Sequence, residues 1–236
     1  MTEPLVLLPG MMCDASLFQP QITALSRERA VTVAPITGGE RIEEIASGLL
    51  DQLPQRFALA GLSMGGIVAM ELLRRAPDRI TRLCLMDTTP LDEPPKFAAQ
   101  REPLIVRARA GRLDEALREA LPGEVLAPGP RRLEILDLVQ EMGLALGPQV
   151  FERQSRALQR RRDQQSTLRK CKVPTMVLCG EEDRLTPLKR HSFMAELIPN
   201  AELRVIEAAG HLPTLEQPEA VTQALREWLA MPLILN

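Results

Sequence analysis

One short motif constrains this chain more than any other feature. It is a serine with one glycine two residues before it and another glycine two residues after it. It reads Gly61-Leu62-Ser63-Met64-Gly65. The apolar run 57–60 predicts a buried strand before it, and a helical pattern begins just after Ser63. Glycine at both flanking positions permits a tight strand-to-helix turn that exposes the serine hydroxyl, beside the free N–H groups of the new helix. Ser63 is therefore a candidate nucleophile, and an ordinary glycine-rich turn is the alternative interpretation.

Charge and composition argue against several classes of function. The chain has 236 residues and a net charge of −2, which gives no bias toward nucleic acid or an anionic membrane. Five Phe, one Trp and no Tyr provide few surfaces on which bases stack. No apolar run reaches the ~18 residues of a membrane span, and residues 1–5 show no signal-peptide pattern. We expect a cytoplasmic protein with no nucleic-acid or membrane partner.

Metal and cofactor sites are not indicated by the sequence. The four cysteines lie far apart with no C-x-x-C pair, and the chain has only two histidines, so a zinc site is not expected. Neither the G-x-G-x-x-G motif nor the P-loop motif is present. We therefore expect reduced thiols, no metal and no cofactor.

Short apolar runs alternate with helical patterns along most of the chain. This alternation predicts a doubly wound, mainly parallel α/β sheet. The six predicted strands lie at residues 5–8, 31–34, 57–60, 83–86, 176–179 and 203–206. The alternation stops between about residues 90 and 169, where the pattern is helical with glycine and proline breaks. We expect a core formed by 1–90 and 170–236, with a helical insertion at 91–169.

The predicted insertion differs from the core in charge. Residues 96–172 hold 16 Lys and Arg against 10 Asp and Glu, whereas the rest of the chain holds 13 and 21. A basic insertion over an acidic core would steer an anionic substrate, and solvated helix faces are the alternative. Six apolar residues are candidates for lining a substrate pocket, with packing inside the insertion as the alternative: Leu104, Ile105, Val106, Met142, Leu144 and Leu146.

The two histidines differ in their predicted positions. His211 follows the last predicted strand, and the carboxyl ends of parallel strands share one edge of the sheet. His211 is therefore expected on the same edge as Ser63. His191 lies in a helical stretch beside charged residues and is predicted to be on the surface.

An acid is needed to accept a hydrogen bond from the second ring nitrogen of His211. Asp183 follows the predicted strand before His211, within Gly-Glu-Glu-Asp-Arg-Leu-Thr-Pro. Asp87 ends the strand that precedes the insertion. Both aspartates are expected on the correct edge, so both are candidates from position alone. Glu181 and Glu182 are weaker candidates.

Three of these segments together resemble the α/β-hydrolase superfamily, in particular its capped serine esterases and lactonases. Residues 61–66 resemble the nucleophile elbow, 180–187 the G-x-x-D-x-x-x-P acid loop and 210–219 the histidine loop. The chain order Ser, Asp, His is that of the family. The resemblance covers the core segments but not the insertion. It implies a triad of Ser63, Asp183 and His211, with the insertion as a cap.

The chain departs from the family in two places. Pro9-Gly10 stands where the family usually has His-Gly. By resemblance, the N–H groups of Met11 and Met64 would form the oxyanion hole. By resemblance, the chain is also expected to lack the two opening strands of the family, so the six strands are expected in the spatial order 2-1-3-4-5-6.

The resemblance implies hydrolysis of a small carboxylic ester or lactone through an acyl-enzyme. Ser63 would be the nucleophile, His211 the base and acid, and Asp183 the orienting acid. A small-molecule substrate is expected, and no cofactor. Alternatives are a thioesterase acting on an acyl carrier, a C–C hydrolase, and a non-catalytic ligand-binding protein of the same fold. The oligomeric state is not predicted.

Overall fold

A single parallel sheet of six strands forms the centre of the molecule. The computed structural model describes residues 3–233, and within them the strands lie in the spatial order β2-β1-β3-β4-β5-β6. The strands are β1 (Leu5–Leu8), β2 (Val31–Val33), β3 (Phe57–Leu62), β4 (Ile80–Met86), β5 (Thr175–Gly180) and β6 (Ala201–Ile206). The predicted strand number, direction and order are confirmed.

Helices cover both faces of this sheet and fill the segment between β4 and β5. They are α1 (Gln19–Leu25), α2 (Ile42–Leu50), α3 (Met64–Arg75), α4 (Pro95–Arg109), α5 (Leu113–Ala120), α6 (Arg132–Leu146), α7 (Pro148–Gln159), α8 (Gln165–Arg169), α9 (Leu188–Leu197), α10 (Pro213–Glu216) and α11 (Pro218–Ala230). None of the helices in the described part of the chain is long and apolar enough to cross a membrane.

The sheet is buried on both sides because successive side chains point to opposite faces. In β1, Val6 and Leu8 join an apolar cluster with α2, α3 and α9. Leu5 and Leu7 join the opposite cluster, which includes α1 and α11 with the buried Trp228. This two-sided burial is why the strands read as continuous apolar runs.

Strand β4 begins earlier than the sequence predicts. Two polar residues, Thr81 and Arg82, interrupt its apolar pattern, yet both are buried. Each donates a hydrogen bond to the carboxylate of Glu3. A paired buried polar group is tolerated in a strand, so the strand extends through them.

At strand β1 the order in which strands are added across the sheet reverses, because β2 lies on one side of β1 and β3 on the other. Strand β1 pairs with both. In an open α/β sheet, ligands bind beside such a reversal, at the carboxyl ends of the strands. The loop that follows β1 and the turn at Ser63 both lie at that edge.

The segment between β4 and β5 contains α4 to α8 and supplies most of one apolar cluster, which Met12 from the loop after β1 also joins. Leu104, Leu117 and Phe151 are buried within it. Two of its helix ends are followed by glycines with positive φ, Gly111 at 80° and Gly147 at 85°. Glycine adopts this conformation without steric penalty, so these positions end the helices. We call residues 91–169 the helical insertion.

All four cysteines are buried with free thiols. Burial, with smaller effects from nearby carboxylates, raises the pKa of Cys13 and of Cys179 to about 12. These thiols are therefore protonated and unreactive at neutral pH.

Candidate active site

The turn after β3 holds Ser63 in a strained backbone conformation. Its φ is 54° and its ψ is −116°, which is rare for a residue with a side chain. The Ser63 N–H donates to the Met86 carbonyl at 2.9 Å, and the Ser63 carbonyl accepts from the Thr88 hydroxyl at 2.7 Å. Helix α3 begins at the next residue, Met64. This is the strand–turn–helix context that a nucleophile elbow requires.

The two glycines of the motif lie where no side chain fits. A Cβ atom on Gly61 would lie 2.3 Å from the carbonyl oxygen of Gly65. A Cβ atom on Gly65 would lie 2.1 Å from the carbonyl oxygen of Leu8. The turn therefore packs backbone against backbone on the end of β1, which fixes the position of Ser63.

His211 connects the serine to an acid. It follows β6 and is buried. Its Nε2 atom lies 3.0 Å from Ser63 Oγ, and its Nδ1 atom lies 2.9 Å from Asp183 Oδ2. A neutral imidazole with its proton on Nδ1 donates to Asp183 and accepts from the serine hydroxyl. The three residues singled out in the sequence thus form one hydrogen-bonded chain.

Asp183 is fixed by the loop that follows β5. Its Oδ1 atom accepts the N–H groups of Leu185 at 2.8 Å and Thr186 at 3.0 Å, and its Oδ2 atom accepts the Thr186 hydroxyl at 2.5 Å. Burial opposes ionisation, but the charge and hydrogen bond of His211 and the hydrogen bonds from Thr186 outweigh it and lower the pKa of Asp183 to about 2. The carboxylate is therefore charged at neutral pH.

Asp87, the other candidate acid, makes no hydrogen bond to His211. It is fully buried, with a positive φ of 43°, and its Oδ1 atom accepts the Gly180 N–H at 2.9 Å. Burial and the neighbouring charge of Asp183 raise the pKa of Asp87 well above its usual value. Asp87 therefore holds its proton more strongly than an ordinary aspartate does, beside a carboxylate that is charged.

A metal site at these residues would compete with the hydrogen bonds already made. Asp87, Asp183 and His211 offer ligand atoms within 4.8 Å of one another. The hydrogen bond between His211 Nδ1 and Asp183 Oδ2 engages two of those atoms. A metal needs deprotonated ligands, and the raised pKa of Asp87 disfavours its carboxylate form. The arrangement fits proton transfer better than metal binding.

Glu216 supports the histidine loop, a role that the sequence reasoning missed. Its carboxylate accepts the N–H groups of Gly210 at 2.9 Å, Leu212 at 2.9 Å and Ala127 at 2.7 Å. Two of these donors flank His211, and the third belongs to the helical insertion. Glu216 therefore holds the loop in place and joins it to the insertion. A glutamate shortly after a Gly-His pair was the available signal.

The insertion also contacts the histidine loop directly. The His211 N–H donates to the Val125 carbonyl at 2.8 Å. A Cβ atom on Gly210 would lie 2.3 Å from that same carbonyl oxygen. The two backbones are therefore in close contact, and glycine at position 210 makes this possible.

His191 is buried, so its predicted surface position is wrong. Its Nε2 atom accepts the Thr88 N–H at 3.0 Å, and its Nδ1 atom lies 3.4 Å from the Pro187 carbonyl oxygen. Burial lowers the pKa of His191 to about 4, so it is neutral near pH 7. Its partner Thr88 in turn contacts the carbonyl of Ser63. His191 is thus a structural support beneath the elbow.

The two predicted oxyanion donors belong to chain segments beside Ser63. Met64 directly follows the serine. A Cβ atom on Gly10, the residue before Met11, would lie 3.6 Å from Ser63 Cβ. Within residues 3–233, neither the Met11 N–H nor the Met64 N–H donates a hydrogen bond.

A pocket of about 510 Å³ opens beside Ser63, between the core and the insertion. Its apolar wall includes Ile67 from α3 and Phe97, Leu104 and Leu158 from the insertion. This size and lining suit a small organic molecule.

Of the six predicted lining residues, only Leu104 borders this pocket within the described residues. Val106 and Leu144 are exposed, with 64% and 48% of their surface accessible. Ile105, Met142 and Leu146 pack against other apolar side chains. Apolar composition shows that a helix packs somewhere, but not which side of it faces the pocket.

Comparison with known proteins places this chain in one family. A family model described as Alpha/beta hydrolase family matches residues 5–224. Pimeloyl-[acyl-carrier protein] methyl ester esterase of Legionella pneumophila (strain Corby) is 26% identical over 235 residues, which cover 96% of this chain and 95% of that protein.

Solved structures give the same result. A thermophilic esterase from Thermogutta terrifontis, with malate bound, is 30% identical with a TM-score of 0.87, over 96% of this chain and 89% of that one. The enol-lactonase from Burkholderia xenovorans LB400 shares the fold, at 23% identity and a TM-score of 0.86, over 98% of this chain and 92% of that one. The family match spans Ser63, Asp183 and His211. The chain therefore belongs to the Alpha/beta hydrolase family of enzymes, as its sequence predicts.

Proposed function

We propose that this protein is a serine hydrolase that cleaves small carboxylic esters or lactones through an acyl-enzyme. The observation that carries the proposal is the hydrogen-bonded chain from Ser63 through His211 to Asp183, with contacts of 3.0 and 2.9 Å. A serine hydroxyl is a weak nucleophile unless a base lies within hydrogen-bond reach. The relatives named as esterases favour a carboxylic ester over a C–C bond.

In the first half of the reaction, Ser63 Oγ attacks the substrate carbonyl carbon while His211 Nε2 takes the hydroxyl proton. Asp183 stabilises the resulting imidazolium and keeps the Nδ1 proton in place. In the tetrahedral intermediate, the bond between the former carbonyl carbon and the ester oxygen then breaks. That oxygen takes the proton from His211 as it leaves. An ester releases an alcohol, and a lactone opens its ring, leaving the acyl group on Ser63.

In the second half, His211 removes a proton from water as the water oxygen attacks the acyl carbon. Collapse of this second intermediate breaks the bond to Ser63 Oγ, which takes the proton back from His211. The carboxylic acid leaves, and the site returns to its starting state.

We assign oxyanion stabilisation to the N–H groups of Met11 and Met64. Both belong to segments beside Ser63, and neither is engaged within the described residues. Met64 also begins α3, where the helix dipole favours negative charge. Such preorganised donors stabilise the tetrahedral oxyanion in both halves of the reaction.

We assign the role of a cap to the helical insertion, residues 91–169, over the core segments 1–90 and 170–236. Phe97, Leu104 and Leu158 supply one wall of the pocket, and the Val125 carbonyl holds the His211 backbone. A small-molecule substrate fits this enclosed space. The four free thiols support a reducing compartment such as the cytoplasm.

The proposal is tested with short-chain p-nitrophenyl esters, comparing wild type with Ser63→Ala. Removal of the nucleophile is expected to lower kcat on the order of 10⁶-fold. Ser26→Ala is the matched control, because Ser26 is exposed at the end of α1, and it should retain full activity. Equal turnover by wild type and Ser63→Ala would refute the proposal.

A further inference from the structure

Three arginines line the pocket beside Ser63, and they come from three separate elements. Arg101 lies in α4, Arg161 follows α7, and Arg190 lies in α9. The first two belong to the helical insertion and the third to the core. Side chains so far apart in the chain meet only because the fold closes the insertion over the core. The proposed mechanism at Ser63 uses none of them.

The acids of the pocket wall do not balance these three charges. Glu93 accepts from Arg161 Nη1 at 2.5 Å and from Arg101 Nη2 at 3.2 Å, so one buried carboxylate serves two guanidinium groups. The other acid on the wall, Glu119, is paired with Arg107 outside the pocket. Within residues 3–233, Arg190 makes no ion pair. The wall therefore carries a surplus of positive charge.

Two of the arginines keep unused donors. Arg101 Nε is buried and has no hydrogen-bond partner in the described part of the chain. Arg190 is half-buried, and its Nη1 atom donates to the Thr89 hydroxyl at 3.2 Å. Buried donors in native proteins are almost always paired, so the Arg101 guanidinium is less fully paired than that of Arg161, which donates to Glu93 and to the Leu91 carbonyl.

The positive charges of the three guanidinium groups also repel one another. Burial lowers the pKa of Arg161, Glu93 opposes this, and the charges of Arg101 and Arg190 lower the pKa further. Asp92 offsets this only weakly. An anion in the pocket would relieve the repulsion, and the planar fork of arginine matches a carboxylate well.

We propose, resting on the proposed ester hydrolysis, that the preferred substrate carries a carboxylate, which Arg101, Arg161 and Arg190 bind while the scissile carbonyl lies at Ser63. The apolar wall of Ile67 and Leu104 then holds the short aliphatic segment between the two groups. The alternative is that Arg101 and Arg161 only pair with Glu93 to hold the insertion together.

Two matched ester pairs test this inference and show on which side of the ester the carboxylate belongs. Monomethyl glutarate and methyl pentanoate differ by a carboxylate on the acyl side. The pair 3-(butanoyloxy)propanoate and propyl butanoate differs by a carboxylate on the alcohol side. The readout is the ratio of kcat/KM for the charged ester to that for its neutral partner, measured by titrating released acid. We expect a ratio of about ten or more in one pair.

Arg190→Gln is the informative variant, because it removes charge from the pocket without leaving an acid unpaired. It should lower the ratio about tenfold. Arg118→Gln is the matched control, since Arg118 belongs to the insertion but is exposed and paired with Asp114, and its ratio should equal that of wild type. Ratios near one in both pairs, unchanged by Arg190→Gln, would overturn the inference while leaving ester hydrolysis intact.

A binding measurement separates this inference from the proposed reaction. Glutarate itself should bind the wild-type protein in a calorimetric titration, and Arg190→Gln should weaken that binding about tenfold. If no ester is hydrolysed but glutarate binds in this arginine-dependent way, the proposed function fails and the anion subsite stands. No heat of glutarate binding to wild type would contradict the subsite directly.

Discussion

The Oε2 atom of Glu216 accepts the N–H of Gly210 at 2.9 Å, one residue before the histidine of the site. The same carboxylate accepts the N–H groups of Leu212 and Ala127. One side chain thus fixes both sides of His211 and ties them to the insertion.

Replacing Glu216 with alanine leaves three partly buried N–H groups without an acceptor. Each such loss destabilises a protein by about 1–3 kcal/mol. We expect Glu216→Ala to lower the free energy of unfolding by roughly 3 kcal/mol or more in urea titrations, and to lower kcat because the His211 loop loosens. Glu219→Gln, at an exposed position nearby, should change neither quantity. Wild-type stability in Glu216→Ala would contradict this role.

The two aspartates beside His211 should differ sharply in their effect on catalysis. Asp183→Asn places an amide opposite the His211 N–H and favours the wrong tautomer, so kcat should fall about 10⁴-fold. Asp87→Asn keeps an acceptor for the Gly180 N–H and removes no hydrogen bond to His211, so kcat should stay within about tenfold of wild type. Steady-state kinetics decide the assignment, and the reverse order of losses would give the role to Asp87.

Acid should destabilise the fold in part through His191. Its folded-state pKa, about 4, lies below the ordinary value of 6.5. The unfolded chain therefore binds the proton first, so the stabilising contribution is complete above pH 6.5 and is lost as the pH falls toward 4. The loss amounts to roughly 3 kcal/mol.

His191→Gln removes this titration and keeps an acceptor for the Thr88 N–H. The stability difference between wild type and His191→Gln, followed by urea unfolding at several pH values, should change by that amount between pH 6.5 and 4. A constant difference over this range would show that the titration of His191 has no effect on stability.

Two glycine substitutions should have opposite effects on stability. In Gly65→Ala, the new methyl group would lie 2.1 Å from a backbone oxygen of β1, so the elbow must shift, at a cost of roughly 4 kcal/mol or more. In Gly48→Ala, nothing lies within 4 Å of the added Cβ in helix α2, and the fold should gain about 0.5–1 kcal/mol. Thermal unfolding measures both, and equal effects would contradict the packing of the elbow.

The sheet and the hydrogen-bonded site could be predicted because their signals are local. A strand buried on both faces is a short apolar run, and the turn at Ser63 needs glycine at positions 61 and 65. The shared carboxyl edge of a parallel sheet then brings His211 and Asp183 near the serine. Position alone left Asp87 open, because the choice depends on which carboxylate His211 Nδ1 meets.

The other features depend on contacts between distant parts of the chain. His191 is buried because its ring accepts the Thr88 N–H, and Glu216 acts through the backbone of the insertion. The surface of the insertion that faces the pocket is set by docking against the core. For that reason Leu104 alone among the six predicted lining residues borders the pocket, and Arg101 and Arg161 were not singled out as pocket residues.

Covalent labelling with a fluorophosphonate tests the central claim most directly, because it reports the nucleophile whatever the natural substrate is. Intact-protein mass spectrometry should show one adduct on wild type, which peptide mapping places on Ser63, and no adduct on Ser63→Ala. Labelling of Asp183→Asn should be much slower, because the base that activates the serine is no longer oriented. An unlabelled wild type, or equal labelling of Ser63→Ala, would contradict the account of Ser63 as the activated nucleophile.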